Sequence, residues 1–205
     1  MSSRQHWRCD VPDAFGSLKR VIRELNGLVA TDGQLIERYA IGGAWAVIWF
    51  SEPTLTEDLD VFCQFGSKGA LISLAPIYEY LGGRGYGAPE GSEHQDAVEI
   101  EGVPVQFLSG GPLVKEAIER AIEVMVAGEQ TRMFDLEYLI AIALDVGRIK
   151  DRLRIEQLLE VSTRPIDHER LEEILSRHAP TKVRAGEGTL LDRWRRYLEA
   201  RDAGF

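Results

Sequence analysis

Residues 58–62 read Asp-Leu-Asp-Val-Phe, two carboxylates alternating with residues that favour a buried strand. In a strand, side chains two apart share a face, so Asp58 and Asp60 stand together and Leu59 and Val61 point the other way. Such a strand is either an exposed edge with solvated charges or one whose carboxylates meet something positive. Two like charges side by side raise a pKa or require a cation. Upstream, the pair Gly42-Gly43 precedes the apolar run AWAVIWF. A short helix therefore begins where the backbone can approach a neighbour closely.

The rest of the chain divides by pattern. Residues 13–30 place Phe15, Leu18, Val21, Ile22, Leu25 and Leu28 with Val29 on one face, which predicts a helix with Asp13 near its cap. Residues 58–65 are expected to form a strand, and residues 68–83 a helix stopped by Gly82-Gly83. VEI and VPVQFL read as a hairpin joined across Glu101-Gly102. From Pro112 onward no strand signal is recognised. Helical patterns follow at 112–126, 134–147, 149–161, 167–178 and 190–200. The expectation is an α/β (α+β) domain over residues 1–111 and a helical domain over 112–205. The loops GSEHQD and KVRAGEGT are the most mobile segments expected.

The net charge of -9 argues against a protein that coats nucleic acid, because phosphate-backbone affinity comes from clustered Lys and Arg. No apolar run approaches the ~20 residues needed to cross a bilayer, and the first residues lack a secretory signal. The two cysteines, Cys9 and Cys63, sit in no CxxC pair. A cytoplasmic protein without a disulfide framework, zinc site or membrane partner is the expectation.

Oxygen-only ligands such as Asp58 and Asp60 suit Mg²⁺ or Mn²⁺, which keep several waters and bind substrate phosphates. A glycine pair ahead of a helix offers N–H groups at the positive end of the helix dipole, where a phosphate can bind. Together these features are a way to hold a nucleoside triphosphate and its metal.

The order "IGG…TEDLDVF" resembles the hG[G/S]…Dh[D/E]h signature of the DNA polymerase beta-like nucleotidyltransferases. With "LEYLIAIALDVGRIKDRLRIEQLLE" downstream, the chain is most similar to the AbiEii-type branch over roughly residues 35–178. The resemblance implies a nucleotidyltransferase-like mixed β-sheet flanked by helices, followed by a helical bundle. It implies that Asp58 and Asp60 bind the metal and serve catalysis, and that Gly42 and Gly43 cradle the triphosphate. Thr56 matches a hydroxyl position of the branch, and Lys150-Asp151 its KD pair, with Lys150 assigned to the phosphates or the acceptor. The implied activity is transfer of a nucleotidyl group from an NTP to RNA or protein. A toxin or defence role, with an antitoxin as partner, comes with the branch.

The chain departs from the pattern in three places. The third carboxylate is expected on a later strand, and the slot that fits is Gln106, flanked by Val105 and Phe107. A basic residue before the first aspartate is replaced by Thr54, and the lysine of the downstream segment by Ala143. An amide can offer an oxygen to a cation but cannot serve as a base. Glu99 and Glu101 are candidate replacements. A module that binds nucleotide or a protein partner without turnover is therefore the alternative, and a plain interaction protein the third reading.

Other features have plainer readings. Arg148, Arg152 and Arg154 around Lys150 form either a solvated helix face or a surface for nucleotide phosphates or RNA. RWRR at 193–196 reads as an amphipathic helix docking Trp194 on the core, ahead of a nucleic-acid contact. Trp45 and Trp49 are expected in the core. His94 reads as a solvated loop residue, and His168 and His178 have no ligand spacing.

Overall fold

The computed structural model describes residues 14–30, 35–52, 56, 58–65, 74–88, 97–182 and 188–203. Asp13, Thr54, His94 and Cys9 lie outside them, as does the start of the helix expected at 68–83. Element by element the chain runs α1 (Ala14–Ala30), β1 (Arg38–Ile41), α2 (Gly43–Phe50), β2 (Leu59–Gln64), α3 (Ala75–Gly82), β3 (Ala97–Ile100) and β4 (Val103–Leu108). It continues α4 (Pro112–Glu119), β5 (Ile122–Val126), β6 (Glu129–Met133), α5 (Leu136–Val146), α6 (Ile149–Val161), α7 (His168–Arg177) and α8 (Leu190–Asp202).

The strands form one mixed sheet in the order β3-β4-β2-β1-β6-β5. β2 runs antiparallel to β1 and parallel to β4, which places it at the sheet's centre. Its burial alternates strictly, with Leu59, Val61 and Cys63 buried and Asp60, Phe62 and Gln64 half-buried. One sheet face is thus sealed by core residues such as Ile77, Leu81, Val105 and Phe107. The opposite face carries Asp60. The expected α/β architecture, a mixed sheet flanked by helices with a helical C-terminal part, is what the chain adopts.

The expectation of unbroken helix from Pro112 is corrected. α4 stops at Glu119, and β5 and β6 form a hairpin that joins the sheet beside β1. The helical spacing of Ile118, Ile122 and Val126 suits either structure, and the turn decides between them. Ala127 and Gly128 both have positive φ, 51° and 81°, the conformation of the tight hairpin turn that matches strand twist. Alanine is a poor advertisement for that turn, so the hairpin is hard to see in the sequence. The sheet-forming part of the chain accordingly extends to Met133, beyond residue 111.

The first hairpin is as expected, its turn made by Glu101 and Gly102 at φ 53° and 80°. α5 is the central helix of the C-terminal part. Asp135 caps its start by accepting from the Leu136 N–H, and Gly147 ends it in the left-handed region at φ 66°. The helix is buried on nearly every side, because α2, α4, α6, α7 and α8 all pack on it. Trp194 of α8 is fully buried and stacks on Tyr197, so RWRR does dock its tryptophan. Trp49 departs from its expected core position and is 42% exposed. α2 is apolar all round and has more apolar faces than neighbours. Among the described residues no helix is long and apolar enough to cross a membrane.

Candidate active site

The site is assembled where the end of β1, the start of α2 and the start of β2 meet. The Gly42 N–H donates to the Asp60 carbonyl at 2.9 Å, tying the turn before α2 to β2. A side chain at Gly42 would meet the rings of Phe62 and Phe134 at 2.5–2.8 Å. Those rings pack tilted against each other, 4.8 Å between centroids. Gly43 sits at φ +58°, and a Cβ there would overlap the Asp60 carboxylate. The glycine pair is thus what brings the first turn of α2 directly against Asp60. Of the two backbone N–H groups, that of Gly42 is already used by the strand.

Asp58 immediately precedes β2. The Thr56 hydroxyl donates to the Asp58 carbonyl at 3.2 Å and lies 3.5 Å from its carboxylate, which fixes the approach to the strand. Burial pushes the Asp60 carboxyl above the usual carboxylate range, and the neighbouring charge of Asp58 adds to the rise. Arg154 and, less strongly, Lys150 pull it back, while Asp151 opposes them. The N-terminal half of α6 therefore lies within electrostatic reach of Asp60.

α6 is held there by its own cap and by a link to α2. Asp151 is buried and accepts from the Arg148 N–H at 3.1 Å, closing the first turn, and Arg154 reaches its other oxygen at 3.4 Å. Gln157 donates to the Ser51 hydroxyl and the Glu52 carbonyl, both at 2.9 Å, pinning α6 to the end of α2. Lys150, Arg154 and Gln157 follow one another at the spacing of a single helical face. Of the KD pair, Lys150 is exposed and Asp151 is a structural cap. Sequence reasoning places Arg154 only within a basic run. Its position one turn after Lys150 is the available signal that both lie within reach of Asp60.

Gln106 stands directly opposite Asp60 in the parallel β2–β4 pairing, so the slot chosen for a third ligand adjoins the aspartate. Glu99 lies opposite Pro104 on β3, which is separated from β2 by β4, a span of ~10 Å between strand axes. Glu101 lies in the hairpin turn and pairs with Arg20 at 3.4 Å. Among the described residues no cluster of three or more His, Cys, Asp or Glu side chains is placed to hold a metal. Ala143 is buried on α5. His178 donates to or accepts from Glu116 at 2.6 Å, in a cluster with Tyr138 and Arg177.

No family model matches the sequence, and no curated protein matches it. An antigenic nucleotidyltransferase-like protein from Paracoccidioides brasiliensis superposes with a TM-score of 0.51 at 15% identity, covering 92% of this chain and 90% of that one. The crystal structure of ANT(2")-Ia in complex with adenylyl-2"-tobramycin gives a TM-score of 0.44 at 15% identity, over 75% of this chain and 92% of that one. The first of these likenesses shows that the chain has a nucleotidyltransferase-like fold.

Proposed function

We propose that the protein binds a nucleoside triphosphate through a divalent cation at Asp58 and Asp60 and transfers its nucleotidyl group to an RNA or protein acceptor. One observation carries this reading: the Asp60 carboxylate lies against Gly43 at the start of α2, in a nucleotidyltransferase-like fold. The donor set fits Mg²⁺ or Mn²⁺, which take hard oxygen ligands from one or two carboxylates and leave room for phosphate oxygens. Bound there, the cation would neutralise charge developing on the phosphates. The chain's own residues position the substrate. The first turn of α2 receives phosphate beside Gly43, Thr56 fixes Asp58, and Lys150 with Arg154 supplies positive charge from α6. Membership of the AbiEii-type branch, a toxin or defence role and an antitoxin partner rest on motif order alone and belong to the same proposal.

A second reading is favoured by Gln106. With an amide opposite Asp60, no carboxylate stands there to take a proton from an attacking hydroxyl. A module of this kind holds the nucleotide, or a protein partner, without turnover.

Calorimetric titration with NTPs, with and without Mg²⁺, tests both readings on the native chain and on Asp58→Ala/Asp60→Ala. The expected result is Mg²⁺-dependent binding that the double variant loses. Labelled-NTP transfer to RNA and to protein then separates transferase from binding module. Absence of NTP binding in the native chain overturns both.

A further inference from the structure

The two edges of the sheet are β3 and β5, and they are finished differently. β3 is bridged by Gly87, whose carbonyl accepts from the Glu99 N–H at 2.7 Å. Among the described residues nothing pairs with the outer side of β5. An open edge is a row of unpaired N–H and C=O groups, and proteins usually blunt one with Pro, Lys or a bulge. The strand sequence IEVMV has neither Pro nor Lys, and its pairing with β6 runs without a bulge from Ile122 opposite Met133 to Val126 opposite Glu129. Its one charge, Glu123, accepts a hydrogen bond from Gln130 at 2.9 Å, and Met125 is 60% exposed.

The turn decides which backbone groups face outward. Ala127 and Gly128, at φ 51° and 81°, make a two-residue loop closed by Val126 and Glu129. In such a loop the closing pair exchanges both ladder bonds, and bonded pairs then alternate with non-bonded ones. Val126, Val124 and Ile122 therefore bond to β6, while the N–H and C=O groups of Glu123 and Met125 point away from the sheet. Side chains alternate as well, with Ile122, Val124 and Val126 on one face and Glu123 and Met125 on the other.

A second copy of β5 fits this edge in one antiparallel register. With Val124 on the two-fold axis, Glu123 lies opposite Met125 of the other copy, and every outward backbone group of the two residues finds a partner. On the opposite face Val124 meets its own counterpart and Ile122 meets Val126, which makes an apolar strip. A shifted register either sets Glu123 against Glu123, where like charges repel, or carries Glu123 past the strand to the turn. A foreign strand would satisfy the same backbone groups; the match of IEVMV to itself on both faces is what selects a second copy. We propose that the protein self-associates through β5, two copies joining their sheets edge to edge about a two-fold axis. The axis is perpendicular to the sheet, so each face continues into the same face of the other copy. Strand register places Val61, Ile41, Met133 and Ile122 on one face, which leaves Asp60 and Glu123 on the other. Asp60 of each copy thus stands on the same side of the joined sheet.

The seam is one strand wide, at the small end of interface sizes, so a dissociation constant of ~10 µM–1 mM is expected. Sedimentation equilibrium of the full chain, at concentrations up to about 1 mM, measures it. Met125→Glu sets a carboxylate opposite Glu123 at both ends of the seam. It is expected to weaken association about tenfold, roughly threefold for each like-charge pair. Met125→Lys sets opposite charges there and is expected to associate about tenfold or more tightly than Met125→Glu. A merely adhesive surface would respond to both charges alike. Met125→Pro removes an N–H that points away from β6, so the β5–β6 ladder is kept and association is expected to be lost. Urea unfolding shows which variants keep the fold; if the proline variant does not, the comparison of Glu with Lys decides. The proposal is overturned if the native chain stays monomeric across the range or if a folded Met125→Pro variant associates as the native chain does. It is also overturned if Met125→Glu and Met125→Lys associate equally.

Discussion

Asp60 of β2 and Gln106 of β4 face each other in parallel register on the half-open side of the sheet. Adjacent strands lie ~4.8 Å apart, so the two side chains share one small volume. An amide there adds no further charge beside Asp58 and Asp60 and keeps mutual repulsion lower than three carboxylates would. Gln106→Glu places an acid–base group beside the proposed cation position. Nucleotidyl transfer should rise about tenfold or more, within the ~10²–10⁴ a positioned base contributes, while NTP affinity changes only a few-fold. Transfer assays on labelled NTP decide this. An unchanged rate would show that the missing carboxylate is not what limits turnover.

Asp60 itself is held at a cost. Burial first, and the charge of Asp58 second, raise its folded-state pKa above the ordinary carboxylate value. A raised folded pKa means the folded protein holds the proton more tightly than the unfolded chain. The associated stability is present at low pH and lost as pH rises through the folded pKa. At neutral pH Asp60→Asn removes that penalty without changing size. Without metal, this variant should be about 0.5–2 kcal/mol more stable than the native protein in urea unfolding, as removal of a strained site group commonly is. Mg²⁺ should stabilise the native protein and leave the variant unmoved. A variant that is less stable than the native protein in EDTA would contradict the electrostatic account.

The strand that carries Asp60 is more legible in the sequence than the sheet around it. Alternation in DLDVF decides which side chains share a face, and that local rule survives the placement of β2 between β1 and β4. Helices α5 to α8 are visible because each carries its own apolar period, often with its own cap, such as Asp167 or Thr189. The β5–β6 hairpin is not visible. Its strands pair with each other and with β1, far away along the chain, and its turn uses Ala127 in place of the asparagine or aspartate that would announce it. Arg154 and Gln157 are in plain view as a helix face. What that face overlooks is a tertiary fact that only the docking of α6 on α2 supplies.

The two glycines make different predictions. Gly43→Ala places a methyl group on the Asp60 carboxylate and forces an L-residue into the left-handed region. It should cost about 1–3 kcal/mol and abolish Mg²⁺-dependent NTP binding, because Asp60 must move. Gly42→Ala has an ordinary φ of -127° but drives a methyl into the Phe62 and Phe134 rings. Its loss of stability should be similar, about 1–3 kcal/mol, with nucleotide affinity reduced less than in Gly43→Ala. Paired calorimetric and urea measurements on both variants test this ordering. Equal loss of binding would mean that the position of α2 matters more than the freedom of the Asp60 carboxylate.

Arg164 should be the most sensitive surface-reaching residue of the helical part. It donates to both oxygens of the fully buried Glu137 at 2.9 and 2.7 Å and to Asp135 at 2.5 Å, while Arg170 reaches Asp135 at 2.7 Å. Burial works to raise the Asp135 carboxyl, yet hydrogen bonds from Arg164, Arg170 and the Leu136 N–H outweigh it and hold it below the usual range. A depressed folded pKa gives stability that is fully present above the unfolded value of ~3.9 and is lost as pH falls through the folded pKa. Arg164→Ala leaves Glu137 buried with only its 3.4 Å Arg170 contact and the Asp167 N–H. The cost at pH 7 should be about 3 kcal/mol, the low end of the range for a broken buried pair, since Arg164 is one-third exposed and Arg170 remains. In urea unfolding at pH 7 and at pH 3, the difference between native and variant should shrink at the lower pH, as Asp135 takes up its proton and the arginine loses that charged partner. A difference that stays constant between the two pH values would assign the loss to packing of Arg164 over the Phe50 ring, 5.5 Å from its centroid, and not to the buried charges.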